Sequence, residues 1–146
     1  MPTAPAFPEI FPPFIPVNQT LILGDASAFA PRIAHAGGGI IVNVLSVVSL
    51  FVAPFNATYC CSKHAAMALT DGARIQLRRQ PVHVVGVYAG FIDTDMARSV
   101  GGPKVSPRQV AERTVEAMRG SRDHVFGDTQ QHAWDTGAMP WGSASS

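Results

Sequence analysis

A tyrosine and a lysine four positions apart, Tyr59 and Lys63, are the side chains of this sequence best suited to move a proton together. Residues at this spacing share one face of a helix, one turn apart, so the phenol and the ammonium would be neighbours. A nearby positive charge favours the phenolate form of a tyrosine, which suits it to general acid–base work. Alone, the pair is weak evidence, because a solvated helix face carries the same spacing.

Further polar positions directly follow two segments that are typical of buried strands. Segment 40–45 is a β-branched run without alternation, which favours a parallel strand covered on both faces, and it ends at Ser46. Segment 82–88 has the same character and opens into the loop 89–96. Ligands of open parallel sheets bind outside the carboxyl ends of the strands. We therefore expect Ser46 and this loop to lie at the ligand-binding edge of a sheet.

The elements between these strands have the composition of helices. The first helix is predicted over about 17–36, interrupted or kinked near Gly24 and Pro31, and ended by the glycine run 37–39. The longest helix is predicted over 57–80, where the proline at the next position stops it.

A third helix and a third strand complete the pattern. Ser106 is predicted to cap a helix over 108–119 with proline at the first helical position, and Gly120 ends it. Its apolar side is predicted to carry Val110, Thr114, Val115 and Met118. A short strand over 124–127 follows. Alternating helices and buried-type strands predict an α/β fold, part of a Rossmann-like, doubly wound parallel sheet in three α/β/α layers.

Composition excludes several classes of function. Only 14% of the 146 residues are charged, against about 25% in an average domain, and the net charge of +1 contains no basic block that could follow a phosphate backbone. Nucleic acid is therefore not an expected partner. The most apolar stretch, 40–55, is shorter than the roughly 20 residues of a membrane-spanning helix, so no membrane is expected either.

The remaining residue types point to a reduced compartment without a metal site. Cys60 and Cys61 are adjacent, a poor geometry for a disulfide, and a proline-broken start without Lys or Arg before Arg32 lacks the features of a signal peptide. We expect a cytoplasmic protein. The five histidines form no ligand set and are interpreted as surface or helix positions: 35, 64, 83, 124 and 132.

Three regions are expected along the chain. Six of the 12 prolines fall within 1–16, which predicts an irregular leader. Residues 17–136 would form the α/β domain, and the small polar residues of 137–146 predict a disordered tail.

Three segments together resemble the short-chain dehydrogenase/reductases: 39–46 (GIIVNVLS), 59–63 (YCCSK) and 89–96 (AGFIDTDM). The spacing is similar as well. Ser46 precedes Tyr59 by 13 residues, and Asn18 precedes Ser46 by 28, as in the Asn-Ser-Tyr-Lys tetrad of that family. Separately, each residue is as well explained by a cap, a turn or a loop hydroxyl, but their order, spacing and placement at strand ends agree.

The resemblance implies a role for each matched residue. Tyr59 would exchange a proton with a carbonyl or alcohol oxygen, Ser46 would hydrogen-bond that oxygen, and Lys63 would assist Tyr59 and hold the nicotinamide ribose. Asn18 would hold a water that relays protons to Lys63. The cofactor, NAD or NADP, would also meet Gly90, Ile92 and Thr94. The hydride would come from the cofactor, since no side chain supplies one.

The sequence departs from the family at its start. A dinucleotide site of this type begins with a glycine-rich turn after a strand, and the only glycine cluster, 37–39, precedes a strand instead. The resemblance therefore covers the family's second half, from the helix before the serine strand onward. Weak cofactor binding is expected, and so is an exposed apolar edge on the serine strand that can pair with another chain.

Two functional hypotheses remain open on this evidence. The first is an NAD(P)-dependent oxidoreductase of a small carbonyl or alcohol substrate, inactive or weak as this chain. The second is a non-catalytic fragment that acts as a homo- or hetero-dimerisation module through the helices at about 18–36 and 57–80. The substrate cannot be identified from the sequence, because substrate specificity in this fold lies in variable loops. The choice between NAD and NADP cannot be identified either, because the residue that selects the cofactor belongs to the absent half.

Overall fold

The computed structural model describes residues 26, 28–52, 57–99, 101–102 and 104–127. The predicted leader 1–16, Asn18, the predicted break near Gly24 and the predicted tail 137–146 lie outside these residues.

The described residues contain one parallel sheet of three strands in the order β1, β2, β3. Strand β1 spans Gly39–Ser46, β2 spans Val82–Ala89 and β3 spans His124–Phe126. β1 and β2 pair along their whole length, from Gly39 opposite Val82 to Ser46 opposite Ala89. The predicted parallel α/β sheet is therefore confirmed, with strand ends within one residue of the predicted ones.

Three helices connect and cover the strands. A helical segment occupies 28–35, α1 spans Ala57–Leu77 and α2 spans Pro107–Arg119. α1 ends three residues before the predicted end, and Gln80 N–H donates to the Leu77 carbonyl in a turn. The reason is Pro81, whose ring disfavours helical backbone at the residue before it. The helical segment continues through Pro31, so it is not interrupted there, because a proline removes a single amide donor.

The glycine run ends the first helical segment and begins β1. Gly37 N–H donates to the Ala34 carbonyl and Gly38 N–H to the Ile33 carbonyl, which together form a Schellman motif. Gly37 and Gly38 have φ values of 99° and 113°, a left-handed conformation that favours glycine. A Cβ on Gly38 would also lie 2.7 Å from the Pro81 carbonyl oxygen. These glycines therefore shape a turn at the amino end of the sheet.

Helix α2 begins as predicted, and Val110 and Met118 of its predicted apolar side pack in the core, whereas Val115 does not. The Ser106 hydroxyl accepts the Gln109 N–H and the Gln109 side chain accepts the Ser106 N–H, a complete capping box with proline at the first helical position. The buried residues are Val110 and Ala117, two turns apart. The prediction for Val115 was wrong: it is 44% exposed, because a position five residues after Val110 lies on the other side of a helix.

Two apolar clusters form the core, one on each face of the sheet. The cluster on the α1 face contains Leu45, Val47, Ala66, Tyr88 and Phe126. The cluster on the α2 face contains Val85, Val87, Val110, Ala117 and Val125. The helices thus flank the sheet in the three layers that were predicted. No helix in the described part of the chain is both long and apolar enough to cross a membrane.

Candidate active site

Ser46 is held at the carboxyl end of β1 by the residues on either side of it. Leu45 and Val47 are both buried in the α1-face cluster, and Ser46 caps the 3-10 turn Val47–Ser49 that follows. The Ser46 Oγ accepts a hydrogen bond from the Val48 N–H at 3.3 Å. Because this bond uses a lone pair, the Ser46 hydroxyl proton remains available to donate to an oxygen of a ligand.

Tyr59 and Lys63 lie one turn apart near the start of α1, and their side chains are neighbours. The Lys63 Nζ is 5.5 Å from the centroid of the Tyr59 ring, within the range of a cation–π contact. Tyr59 remains 36% exposed. Burial lowers the pKa of the Lys63 ammonium, since the charged form loses solvation. Within the described residues, the Lys63 ammonium has no ion pair and no hydrogen-bond acceptor.

A polar contact that sequence reasoning missed ties β1 to α1. Asn43 Nδ2 donates to Thr70 Oγ1 at 3.1 Å, and the Thr70 hydroxyl donates to the Ala66 carbonyl at 2.9 Å. Thr70 is fully buried, so this bond fixes the strand against the helix where water does not compete. The available signal was one amide in an otherwise apolar strand, since such a group requires a partner.

The loop after β2 begins beside Ser46 and is fixed to a later segment. Ser46 and Ala89 are register partners, so Gly90 directly follows the residue opposite Ser46. The Asp93 N–H donates to the Val105 carbonyl at 2.8 Å, within a parallel bridge between Ile92 and Val105. This bridge holds the loop at the carboxyl edge of the sheet.

Two groups of this loop can meet a ligand. The Thr94 side chain is exposed, and its hydroxyl donates to the Ile92 carbonyl at a long 3.4 Å. The Ile92 N–H donates to none of the described residues. A backbone donor and a hydroxyl are thus available next to each other, which suits recognition of a carboxamide or another polar group.

Ser49 is a second site feature that the sequence did not indicate. It closes the turn that Ser46 caps, it is fully buried, and its Oγ has no hydrogen-bond partner among the described residues. The possible signal was a second serine three residues after Ser46, because that spacing returns a side chain to the same side of a 3-10 turn.

The other tyrosine of the chain, Tyr88, has no access to a ligand. It is fully buried, its ring stacks on Phe126 with centroids 5.0 Å apart, and its hydroxyl lies 3.3 Å from His124 Nδ1. Burial raises the pKa of Tyr88 to about 12, so the phenol stays protonated. Of the two tyrosines, Tyr59 is the one suited to proton transfer with a ligand.

Two histidines were placed wrongly by the sequence interpretation. His83 lies in β2 and His124 in β3, and both are half-buried instead of lying on the surface or in a helix. His83 Nε2 is 2.9 Å from Asp123 Oδ1. His83 meets Asp123 and His124 meets the Tyr88 hydroxyl, and these pairings follow from the sheet order, which the sequence does not state.

The structure thus brings most of the predicted site residues to one end of the sheet. Ser46 and the loop 90–94 lie at the carboxyl ends of neighbouring strands, and α1, which carries Tyr59 and Lys63, packs against the turn after Ser46. Asn18 lies outside the described residues. The arrangement offers a hydroxyl donor, a phenol that can exchange a proton and an ammonium that has no acceptor among the described residues.

Comparison with known proteins gives consistent matches. A family model described as short chain dehydrogenase matches residues 8–104. A 3alpha-hydroxysteroid dehydrogenase of Mediterraneibacter gnavus is 30% identical over 100 residues, which are 68% of this chain and 40% of that protein. A 2,5-dichloro-2,5-cyclohexadiene-1,4-diol dehydrogenase of Sphingobium indicum is 29% identical over 98 residues, 67% of this chain and 39% of that protein.

A solved structure shares the fold over most of the chain. The short chain dehydrogenase from Burkholderia cenocepacia in complex with NADP has a TM-score of 0.75 and 34% identity, and covers 84% of this chain and 52% of its own. The chain therefore spans about two fifths to one half of the length of these relatives.

Proposed function

Because the chain belongs to the short-chain dehydrogenase family, we propose that it carries the proton-transfer and nicotinamide-binding part of an NAD- or NADP-dependent oxidoreductase site. The substrate would be a small carbonyl compound or the corresponding alcohol. The observation that carries the proposal is the Lys63 ammonium over the Tyr59 ring, half-buried and without an acceptor among the described residues, on the helix that packs beside Ser46.

Ser46 and Tyr59 act on the substrate oxygen. The Ser46 hydroxyl donates to it, since its own lone pair is engaged by the Val48 N–H. The Tyr59 phenol delivers the proton in reduction and removes it in oxidation, and its partial exposure leaves the oxygen accessible. Asn18 supports the proton path, as the tetrad spacing implies.

Lys63, Gly90, Ile92 and Thr94, together with Tyr59, would hold the cofactor. The donor set fits a nicotinamide ribose and carboxamide. Among the described residues, the Lys63 ammonium has no acceptor and the Ile92 N–H has no partner, and the Thr94 hydroxyl is exposed. The bound nicotinamide supplies the hydride. The solved NADP complex of the Burkholderia cenocepacia relative supports this class of cofactor.

This chain alone is expected to bind the cofactor weakly. A pyrophosphate is normally held by a glycine-rich turn at a helix amino terminus. In the described residues the glycine run 37–39 instead ends a helix and enters β1 at the opposite end of the strand from Ser46. We therefore propose low or absent turnover for the isolated chain, and a cytoplasmic location, which two cysteines that form no disulfide support.

Titration of the purified chain with NADH and NADPH tests the proposal. Nicotinamide fluorescence should report saturable, weak binding that falls at least about tenfold in Lys63→Met, the loss of about one charged hydrogen bond. Arg119→Met, an exposed arginine on α2, is the matched control and should bind like the parent. Tyr59→Phe, which keeps the ring and loses the hydroxyl, should abolish carbonyl reduction in any assembly that turns over. Equal cofactor binding by Lys63→Met and the parent would show that Lys63 does not contact the cofactor.

A second candidate function, a helix-mediated dimerisation module, rests on two exposed apolar side chains. Phe29 on the helical segment 28–35 is 51% exposed and Ile75 on α1 is 64% exposed. Both helices fall within the segments at about 18–36 and 57–80 that were predicted to pair. Substituting Phe29→Ser and Ile75→Ser together should shift the sedimentation coefficient to that of a monomer if these faces pair, and should leave it unchanged if they do not.

A further inference from the structure

Lys63 is one of the two lysines of the chain, and its surroundings differ from those of an ordinary surface lysine. Its side chain is half-buried on α1, and its Nζ lies 5.5 Å from the centroid of the Tyr59 ring. The other lysine, Lys104, lies in the segment before α2 and contacts no tyrosine ring among the described residues. The two lysines therefore allow a comparison of two amines within one molecule.

No acidic residue lies close to Lys63 along the chain. The sequence from residue 26 to residue 70 contains no aspartate and no glutamate, so β1 and the first turn of α1 carry none. Asp71 is the first acid that follows on α1, and it lies about 12 Å further along the helix, at about 1.5 Å per residue. Its carboxylate pairs with Arg74. Lys63 therefore has no counter-charge from its own part of the helix.

The burial of Lys63 changes the chemistry of its nitrogen. It lowers the pKa of the Lys63 ammonium, because the charged form loses solvation. A neutral amine has a free electron pair and is a nucleophile, whereas an ammonium is not. Desolvated lysines activated in this way form Schiff bases with carbonyl compounds. The surroundings of Lys63 therefore favour attack of its amine on a carbonyl carbon.

The hydroxyl groups near Lys63 suit the two steps of such a reaction. Addition of an amine is assisted by a donor to the carbonyl oxygen, and the Ser46 hydroxyl proton is available for this. Loss of water from the adduct needs a proton donor, and the partly exposed phenol of Tyr59 lies beside Lys63. Helix α1 packs against the turn after Ser46. An amine, a phenol and a hydroxyl thus lie at one end of the sheet.

We propose that the Lys63 amine captures small aldehydes as a Schiff base, with the Tyr59 phenol as the proton donor. The nitrogen bonds to the carbonyl carbon and one nitrogen proton moves to the oxygen, which gives a carbinolamine. The phenol then protonates the hydroxyl, the C–O bond breaks and water leaves. The remaining nitrogen proton returns to the phenolate. The products are an imine and one water, so the reaction consumes no oxidant and no reductant.

This activity rests on the carbonyl substrate class of the proposed function, but no cofactor takes part in it. Binding of a nicotinamide ribose uses Lys63 as an ammonium, whereas imine formation uses it as a neutral amine. The two can therefore fail separately. A chain that binds no NADH could still capture an aldehyde, and a chain that captures no aldehyde could still bind NADH.

Reductive trapping on the full chain tests the proposal. Propanal with sodium cyanoborohydride at pH 7 converts each imine into a stable propylamine, which peptide mass spectrometry assigns to a residue. We expect propylation of Lys63 to be at least about tenfold faster than that of Lys104, because a positioned proton donor commonly contributes about a hundredfold or more. Equal rates at the two lysines would overturn the proposal. This comparison is made in the parent and needs no variant.

Substitution of the two tyrosines tests the proton donor. Tyr59→Phe keeps the ring beside Lys63 and loses only the hydroxyl, so the rate at Lys63 should fall at least about tenfold while the rate at Lys104 stays the same. Tyr88→Phe, at the buried tyrosine, is the matched control and should leave both rates unchanged. Circular dichroism verifies the fold of each variant. A folded Tyr59→Phe with the parent's rate at Lys63 would overturn the proposal, because the phenol would then take no part in the reaction.

Discussion

The two outer strands of the described sheet, β1 and β3, differ in length and in burial. β3 has three residues, and both Val125 and Phe126 are buried at 2% and 0% exposure. The Arg113 guanidinium donates to the carbonyls of Phe126, at 3.3 Å, and Gly127, at 2.7 Å. β1 has eight residues, no charged side chain, and Val44 at 66% exposure.

The comparison shows how unevenly the helices cover the described sheet. At β3 the Arg113 guanidinium of α2 donates to the carbonyls of Phe126 and Gly127, so α2 is fixed to this strand by polar contacts as well as by packing. Among the described residues no side chain makes a comparable contact with the backbone of β1, and Val44 is exposed on the α2 face. The difference teaches that α2 stabilises one side of the described sheet more than the other.

A second arginine, Arg74, joins β2 to the residue before β3. Arg74 on α1 donates to the Val84 carbonyl at 2.9 Å and the Asp123 carbonyl at 3.1 Å, and pairs with the Asp71 carboxylate at 2.6 Å. One side chain thereby joins α1, β2 and the residue before β3. No comparable charged link involves β1 in the described part of the chain.

The largest change in stability is expected from removing the buried aromatic ring of β3. Phe126→Ala deletes a fully buried ring that stacks on Tyr88, and should lower the free energy of unfolding by about 3–5 kcal/mol. Urea denaturation followed by circular dichroism measures the change. A loss below about 1 kcal/mol would show that β3 contributes little to the core.

A smaller effect on stability is expected from removing the Arg113 guanidinium, which hydrogen-bonds to the end of β3. Arg113→Met keeps most of the side-chain stem but loses two charged hydrogen bonds, and should cost about 1.5–3 kcal/mol. It should also increase hydrogen exchange at β3. Arg119→Met on the same helix is the control, because Arg119 is exposed. Equal stability of the two variants would contradict the assigned role of Arg113.

Acidification should act on β3 more than on β1. Burial, followed by the charge of Arg74, lowers the pKa of His124 below its usual 6.5. The unfolded chain therefore binds this proton more readily than the folded chain, and stability is lost as the pH falls from about 6.5 through the lowered pKa. Tm measured from pH 7.5 to 5 should fall less steeply in His124→Gln than in the parent. The exposed His35, changed to Gln, should leave the slope unchanged.

The smallest effect on stability is expected at Val44 of β1. Val44→Ala removes a largely exposed side chain and should change the free energy of unfolding by no more than about 0.5 kcal/mol when measured on the monomer at low concentration. The same denaturation assay applies. A loss of several kcal/mol would show that the α2 face of β1 is covered within the single chain, and would remove the difference between the two edges.

Much of the fold could be predicted because the relevant signals are local. β-Branched runs defined β1 and β2, and Ser106 with Pro107 defined the start of α2. Features that depend on several segments were not predictable. The end of α1 at Leu77 depends on Pro81, and the environments of His83 and His124 depend on which strands are neighbours.

The candidate site divides in the same way. The one-turn separation of Tyr59 and Lys63 follows from helix geometry, and the contact of 5.5 Å agrees with it. The bond between Asn43 and Thr70 joins residues 27 positions apart, and the buried Ser49 hydroxyl has no partner among the described residues. Neither carries a local signal strong enough to identify a partner.

The register of β1 with β2 has a consequence during synthesis. Gly39 pairs with Val82, so each residue of β1 can pair with β2 only after the residue 43 positions later has been synthesised. At typical translation rates of about 5–20 residues per second this delay is roughly 2–9 s. During that interval the edge of β1 that pairs with β2 has no partner strand. We therefore expect the soluble yield of this chain to depend on chaperones that hold nascent strands.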